Sequence, residues 1–517
     1  MLDTAPWLVA ATVLLLVALG FSIHIPSKAN RGLKLPPGPP GVPLLGSLLD
    51  VPGKHLATYF RRLLHEYGGF VSLNLVGFRL ILIGDIKLAK ELLEKRAAKY
   101  SSRPVVHYIR YHVDPVDAYW LVSQGGQNHA IARKLSHGIM SNVRAGKTDS
   151  LHEFEAALNI QKLLDDGGKE WFNHMNRIAA SSVFAAAFGM HCPTGQESEL
   201  KDVLNVNAEA VVLLAPSASI VNALPFLDLL PGPMPWRTRA QKFRKREDIV
   251  YGKLIDEAVR GKASGMNTWA AEFAREDRSE GDRRILLKQF TGAAIETTSS
   301  LLQSFVLACI RYPEWIATAQ MEIDMVVGTD RLPSLKDRPF LPYMEAIVRV
   351  RFGIPHQSVA DDVIQYQGQQ YFIPEGSVIF PVTWAIEHDQ SIFEDHDRFV
   401  PERFLDAKGN LKPHYETSAF GFGRRVCPGI PFAERTLWIN IATMLWTFNI
   451  RKSDELDPKI GLTICYDDSD AAFTGDLTSS PHPFPAVFEP RSPRRTEIAR
   501  REWDECEKDL HVLLPKE

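Results

Sequence analysis

The sequence predicts a mainly α, α+β protein: a helical body with minor β-sheets, preceded by one N-terminal transmembrane helix. Three observations carry this expectation. Long stretches repeat apolar residues at helical spacing, a few short runs are rich in β-favouring residues, and an uncharged apolar segment opens the chain. With 517 residues, 45% of them hydrophobic and including 10 Trp and 27 Phe, the chain can bury a large core.

Ala5 to Ile23 carries no charged residue, and its 19 residues are about what a helix needs to cross a bilayer. Asp3 precedes the segment, whereas Lys28, Arg31 and Lys34 follow it, which favours an uncleaved anchor with the body on the cytosolic side. The competing reading is a removed signal peptide, since Ser27-Lys28-Ala29 resembles a small-x-small cleavage site. The anchor is assigned to residues 1–25 and a proline-rich linker to residues 26–46. There, Pro36, Pro37, Pro39, Pro40 and Pro43 cannot continue a helix and favour a stiff, extended connector. Residues 47–517 follow as one body, with no internal repeat and no dividing boundary.

Within that body, Phe70 to Leu75 and Arg79 to Ile83 predict two short strands, and Asp85 is placed to cap a helix over Ile86 to Arg96. Helical period marks Glu170 to Phe188, Val203 to Leu214, Trp236 to Val259, Ile285 to Ile310, Pro313 to Val327 and Pro428 to Phe448. Strand signals return at Val363 to Ile373 and in roughly the last seventy residues.

A formal charge of −3 and short, scattered basic clusters give no reason to expect a nucleic-acid partner. Cys192, Cys309, Cys427, Cys465 and Cys506 are widely spaced with no C-x-x-C pair, so neither a disulfide framework nor a zinc ribbon is suggested. Cys427 has to be explained by its neighbours, AFGFGRRVCPGIPFAER from Ala419 to Arg435. Gly421, Gly423 and Gly429 allow positive φ and let the backbone approach a flat ligand. Pro428 suits a first helical turn, which places Cys427 at a helix N-terminus where a thiolate is stabilised; Arg424 and Arg425 add positive charge. Together they describe a soft anionic ligand held for a metal. A buried structural cysteine beside a glycine-rich turn explains these residues one at a time but not their conjunction.

Phe420-x-x-Gly423-x-Arg425-x-Cys427-x-Gly429 resembles the haem-binding loop of the cytochromes P450, and the similarity runs over nearly the whole chain. The resemblance implies the cytochrome P450 fold, haem b with Cys427 as axial thiolate, Arg425 at a propionate and Phe420 shielding the sulfur. It implies a monooxygenase in the endoplasmic reticulum membrane, a single-pass protein with its body facing the cytosol. Its partners would be O2, an NADPH-dependent cytochrome P450 reductase and a small-molecule substrate.

FTGAAIETTSS, from Phe290 to Ser300, puts two threonines in mid-helix, where their hydroxyls can bond back to earlier carbonyls, loosen the turn and admit water. By the same resemblance Glu296 and Thr297 match the family's acid-Thr pair, which lines the oxygen pocket and relays protons; Ala294 stands where glycine is usual. RYPEWIATAQMEID (Arg311 to Asp324), LPYMEA (Leu341 to Ala346) and FVPERF (Phe399 to Phe404) follow in the family's order.

Two departures stand out. The family's Glu-x-x-Arg helix should lock onto the arginine of the PERF turn, here Arg403. By spacing from Tyr343 the two positions fall on Val350 and Gly353, which cannot serve. In EAIVRVRFGIPH the last four residues arrive early by about two helical turns. Glu345 and Arg349 are left to pair at i,i+4, and Arg403 loses its usual partner, which for a buried pair costs about 3–5 kcal/mol. The expectation is a gene model missing a short piece, or a degraded, non-catalytic member. The family's Trp-x-x-x-Arg or Trp-Arg is replaced in QNHAIARKLSH by His129 and Ala130. Arg133 and Lys134 remain as a basic face for the reductase or for solvent. The segments expected to line the pocket, Ser101 to Trp120, Ala208 to Leu229 and Phe473 to Leu477, are mostly apolar and suit a lipophilic substrate. The wording from GIPH through the haem loop resembles fungal members that oxidise secondary metabolites.

Overall fold

The computed structural model describes residues 33–514 apart from 44, 76–77, 116–118, 120, 216–217, 223, 276–279, 349–354, 413–417, 419, 455–465, 467–471 and 475–478. The expected anchor, residues 1–25, lies outside the described residues. The chain folds as two compact units, each discontinuous in sequence: Met1–Pro104 with Arg351–His396 and Glu416–Val426, and Val105–Val350 with Asp397–Tyr415 and Cys427–Glu517.

In the first unit, helix α1 (Leu56–Tyr67) buries Phe60, Leu63 and Leu64 against Val71, Leu73 and Leu82. The last three belong to strands β1 (Phe70–Leu75) and β2 (Phe78–Ile83), which pair antiparallel with Phe70 opposite Ile83, as the sequence predicts. Asp85 caps α2 (Ile86–Lys90) as expected, accepting the N–H groups of Lys87 at 2.7 Å and Leu88 at 3.2 Å. The helix does not run regularly to Arg96: Glu91–Lys95 form a wider π-type turn, with Arg96 N–H bonded to the Glu91 carbonyl.

Strands β3 (His356–Gln357), β4 (Asp362–Tyr366), β5 (Gln369–Ile373) and β6 (Val378–Pro381) complete the unit. The larger sheet has the order β1-β2-β6-β3, with β6 parallel to β2, while β4 and β5 form a separate hairpin. That hairpin turns on Gln367 and Gly368, with φ of 49° and 76°, the two left-handed positions of a tight two-residue turn. The described part of the proline-rich linker is extended but is no free spacer. The Pro37 carbonyl accepts Ser72 N–H at 2.8 Å and the Lys34 carbonyl accepts Phe372 N–H at 2.9 Å, laying the linker along β1 and β5.

The second unit is helical. Its helices are α3 (Gln127–Arg144), α4 (Asp149–Asp166), α5 (Trp171–Phe188), α6 (Ser198–Leu214), α7 (Pro235–Arg260), α8 (Trp269–Ala274) and α9 (Glu280–Arg311). They continue with α10 (Ile316–Val327), α11 (Pro342–Ile347), α12 (Ile430–Thr447) and α13 (Pro493–Glu505). The small residues of α5, almost all buried, pack on α9, and Gln303 donates to Asn176 across that contact at 2.9 Å. α4 is buried too and holds α5 through Glu155, paired with Arg177 at 3.0 Å. α9 and α12 pack together. The expected terminal strands are β7 (Phe448–Lys452) and β8 (Ala486–Pro490), an antiparallel pair. α13 stands beyond them, where strand signals had been read; Ser492 caps it by accepting Arg495 N–H, and Pro493 fills its first turn. Among the described residues, Phe290–Arg311 of α9 is long and apolar enough to cross a membrane, but 56% of its apolar window is buried within the fold.

Candidate active site

The cysteine loop begins in the first unit and passes to the second between Val426 and Cys427. Gly421 and Gly423 adopt φ of 75° and 55°, as the sequence suggests. Gly423 is doubly required, since a Cβ there would sit 2.0 Å from the Leu93 carbonyl oxygen in the π-type turn. Phe420 is partly buried, and Phe422 joins the core with Leu92, Leu93 and Tyr100.

Arg425 Nε donates to the Ser101 carbonyl at 2.7 Å, and two basic residues that sequence reasoning missed lie close by. Arg103 donates to the Pro355 carbonyl at 2.6 Å, and His356 Nδ1 bonds the Tyr100 carbonyl at 3.0 Å. Burial, then the neighbouring Arg425 charge, lowers the Arg103 pKa to about 9. Burial, then the charges of Arg103 and Arg425, pushes His356 down to about 3. Three bases thus converge at a place where burial and like charge both penalise cations.

In the second unit the Cys427 thiol is exposed. The helix behind it starts later than Pro428 suggested: Gly429 is the N-cap, and Pro431 fills the first turn. Cys427 therefore stands two residues ahead of the cap, where the helix dipole is weaker. Gly429 has φ of −78°, so positive φ is not why glycine is there. A Cβ on it would rest 3.8 Å from Cys427 Sγ, an ordinary contact.

Arg133, on α3, is half-buried rather than part of a solvated face; burial lowers its pKa and the charge of Cys427 raises it. Lys134 beside it is exposed, as expected. The signal was in the sequence: His129-x-x-x-Arg133 keeps the arginine of the family's Trp-x-x-x-Arg and loses only the tryptophan.

On α9, Thr297 Oγ1 donates to the Ala293 carbonyl at 2.9 Å and Thr298 Oγ1 to that of Ala294 at 2.8 Å. The expected back-bonding is present, yet the helix runs unbroken through it, so the turn is not opened. Glu296 and Thr297 are partly exposed and Thr298 is buried.

α11 has six residues, and the positions Val350 and Gly353 lie outside the described residues. Glu345 is gripped by Arg338, Nε to Oε2 at 2.7 Å and Nη2 to Oε1 at 2.6 Å, and Arg338 also reaches Glu434 of α12 at 3.3 Å. The expected i,i+4 partner of Glu345, Arg349, also lies outside the described residues. Arg403 donates to the carbonyls of Val400 at 3.1 Å and Arg398 at 2.9 Å. Glu402 of the same turn accepts the Tyr343 hydroxyl.

A family model described as Cytochrome P450 matches residues 36–463. The chain belongs to the cytochrome P450 family. It is similar to cytochrome P450 monooxygenase FrzL of Cladobotryum sp, 31% identical over 95% of this chain and 94% of that protein. It is also similar to cytochrome P450 monooxygenase peniB of Penicillium patulum, 30% identical over 95% of this chain and 91% of that protein. Cytochrome P450 monooxygenase 58 of Postia placenta is 32% identical over 86% of this chain and 88% of its own length.

Members of this cytochrome P450 family carry haem with a cysteine thiolate as axial ligand. The residues present fit such a group. In the first unit, Arg103, His356 and Arg425 form a basic cluster that carboxylates such as haem propionates would stabilise; in the second, Cys427 offers an exposed sulfur under the influence of the Arg133 guanidinium.

Proposed function

We propose that this cytochrome P450 is an endoplasmic-reticulum monooxygenase, anchored by residues 1–25, spaced by residues 26–46 and carrying its catalytic body, residues 47–517, on the cytosolic side. It inserts one oxygen atom into a lipophilic small molecule of fungal secondary metabolism. One O2, two electrons from NADPH through cytochrome P450 reductase and two protons convert a C–H bond to C–OH and release one water. Bound haem supplies reductive activation of dioxygen with a thiolate behind the iron. Cys427 is the thiolate ligand, and Phe420, Gly421, Gly423 and Gly429 shape its side of the site. Arg425, with Arg103, His356 and Arg133, holds the carboxylates. Glu296 exchanges protons with solvent, and Thr297, whose own proton is donated to the Ala293 carbonyl, relays one through its Oγ1. Exposed Ile220, Phe226 and Leu229, on or beside the segment Ala208 to Leu229, support an apolar substrate and a membrane-facing surface.

The exposed Cys427 thiol beside half-buried Arg133 carries this reading. Its test is the carbon monoxide difference spectrum of the reduced chain in microsomes. A strongly red-shifted thiolate band is expected, lost in Cys427→Ser; no such band in the unaltered chain would overturn the assignment. Thr297→Ala tests the proton role. Product per NADPH consumed is expected to fall several-fold as electrons are diverted to peroxide or water, and undiminished coupling would remove Thr297 from the mechanism.

A second reading, a member that does not turn over, is favoured by the six-residue α11. The same spectrum separates the two, because a chain without a working core yields no thiolate band.

A further inference from the structure

Away from the cysteine loop, the second unit gathers three metal-ligating side chains. His107 precedes and His112 lies within a π-type turn, Ile109–Val113, and Asp228 lies in the short turn Pro225–Leu229. Both imidazoles reach one oxygen: His107 Nε2 is 3.0 Å and His112 Nε2 2.7 Å from Asp228 Oδ2. The other oxygen is held from behind. Trp236 Nε1 donates to Oδ1 at 3.0 Å, and Arg237 Nε and Nη2 approach it at 3.4 and 3.3 Å.

Arg237 also donates to the backbone carbonyl of Asp228 and to that of Gly232, the latter at 2.9 Å. The carboxylate is therefore oriented by donors outside the cluster, as outer partners orient a metal ligand. The two stretches are tied together independently of the histidines. Tyr108 N–H donates to Asn222 Oδ1 at 2.7 Å, and the Tyr108 hydroxyl donates to the Trp236 carbonyl at 3.1 Å. With 22%, 14% and 16% of their side chains exposed, His107, His112 and Asp228 are shielded yet reachable from solvent.

We propose that His107, His112 and Asp228 bind a zinc-class divalent cation through two imidazole Nε2 atoms and Asp228 Oδ2, with water completing the coordination. Two nitrogens and one oxygen suit zinc, nickel or cobalt and disfavour magnesium and calcium, which take oxygen ligands. Zinc bonds of about 2.0–2.1 Å at tetrahedral angles place ligand atoms roughly 3.3 Å apart, so the two imidazole–Asp228 separations of 3.0 and 2.7 Å need to open by a few tenths of an ångström or somewhat more, and all three ligand atoms already lie within 4.8 Å of one another.

On binding, each imidazole must leave Nε2 bare, its proton moving to Nδ1 or, from an imidazolium, to solvent. Protons therefore compete with the metal, and affinity falls as pH drops. The Arg237 charge beside Oδ1 makes the site weaker than a closed four-ligand one. Bound metal would clamp the stretch 107–113 to the turn 225–229, two segments read above as pocket-lining.

The test uses the haem-loaded full chain, stripped with a chelating resin, equilibrated with zinc chloride or magnesium chloride and desalted. Elemental analysis and zinc-edge X-ray absorption then read what remains. One zinc per chain with two-imidazole scattering at pH 7.5, at least ten-fold less at pH 5.5, no retained magnesium and loss of zinc in His112→Gln and Asp228→Asn are expected. Zinc retained by both variants, or an unaltered chain that holds none, overturns the site and leaves a hydrogen-bonded clasp. Absorption of the unaltered chain decides the matter even where a variant fails to fold, because sulfur ligands or fewer than two imidazoles would place the zinc elsewhere.

Discussion

Arg338 and Arg403 stand in one unit at two ends of the region where the family's ion-pair lock belongs, and the chain satisfies them in opposite ways. Arg338 meets charge with charge: its guanidinium takes both oxygens of Glu345 and one of Glu434, joining α11 to α12 one turn behind Gly429. Arg403 is held by main-chain carbonyls of its own turn, Val400 and Arg398. A bidentate guanidinium-carboxylate contact is roughly twice as strong as a neutral hydrogen bond and tolerates no loss of partner in a shielded place. Bonds to local carbonyls depend on the shape of the turn. Among the described residues, Glu345 and Arg338 make an ionic anchor near this corner.

The comparison breaks first at Arg338. Arg338→Ala removes three charge-assisted bonds and leaves Glu345, whose side chain is 16% exposed, without this partner. A loss of about 2–4 kcal/mol is expected, read from the denaturant midpoint of the full chain in detergent. Glu345→Gln should cost less, since Glu434 remains, and a double-mutant cycle should give a coupling of about 1–3 kcal/mol. A coupling near zero would show that the contact is decorative.

A pH scan sharpens the contrast by separating this ionic corner from neutral groups buried beside it. His152 of α4 lies against α12, its ring 4.6 Å from Phe432 and its Nδ1 3.1 Å from Thr436 Oγ1. Burial, then the Arg435 charge, pushes its pKa down to about 3. Above roughly pH 6.5 the imidazole is neutral in both folded and unfolded chains and stability is full. Below that the unfolded chain takes up a proton that the folded one refuses, so stability declines as pH falls, by about 2 kcal/mol at pH 5. His152→Gln should flatten this slope while leaving the Arg338 cycle unchanged.

What the sequence made legible was local. β1, β2, the Asp85 cap and the long amphipathic helices carry their signals in consecutive residues, and the structure places them within a few positions of expectation. α4 escaped because His152, Glu155 and Asn159 are buried on a face that polarity would assign to solvent. Arg103 and His356 escaped because an isolated bridge between Ser102 and Gln357 brings together residues about 250 positions apart, as in the bond from Arg103 to Pro355. Arg133 had the right spacing, but which way the helix turned it depended on the packing of α3. In the cysteine loop the positive φ of Gly421 and Gly423 could be read, whereas Gly429 does not have it, and the offset of Cys427 from its helix followed from Gly429 rather than Pro428.

The smallest effect is expected at Arg403, and it decides the comparison. If the PERF turn still acted as the family's electrostatic lock, Arg403→Ala would cost as much as Arg338→Ala, because a shielded opposite charge would be exposed to the loss. If main-chain bonds carry its energetics, the substitution removes those to Val400 and Arg398, and the two carbonyls can turn to water at the edge of a short 3-10 segment, Pro401–Phe404. The expected loss is then about 1–2 kcal/mol. Arg403→Lys separates charge from shape: a point charge cannot reproduce the two-carbonyl grip, so it should behave like alanine here. Rescue by lysine would instead reveal a carboxylate partner and return the lock to its usual place.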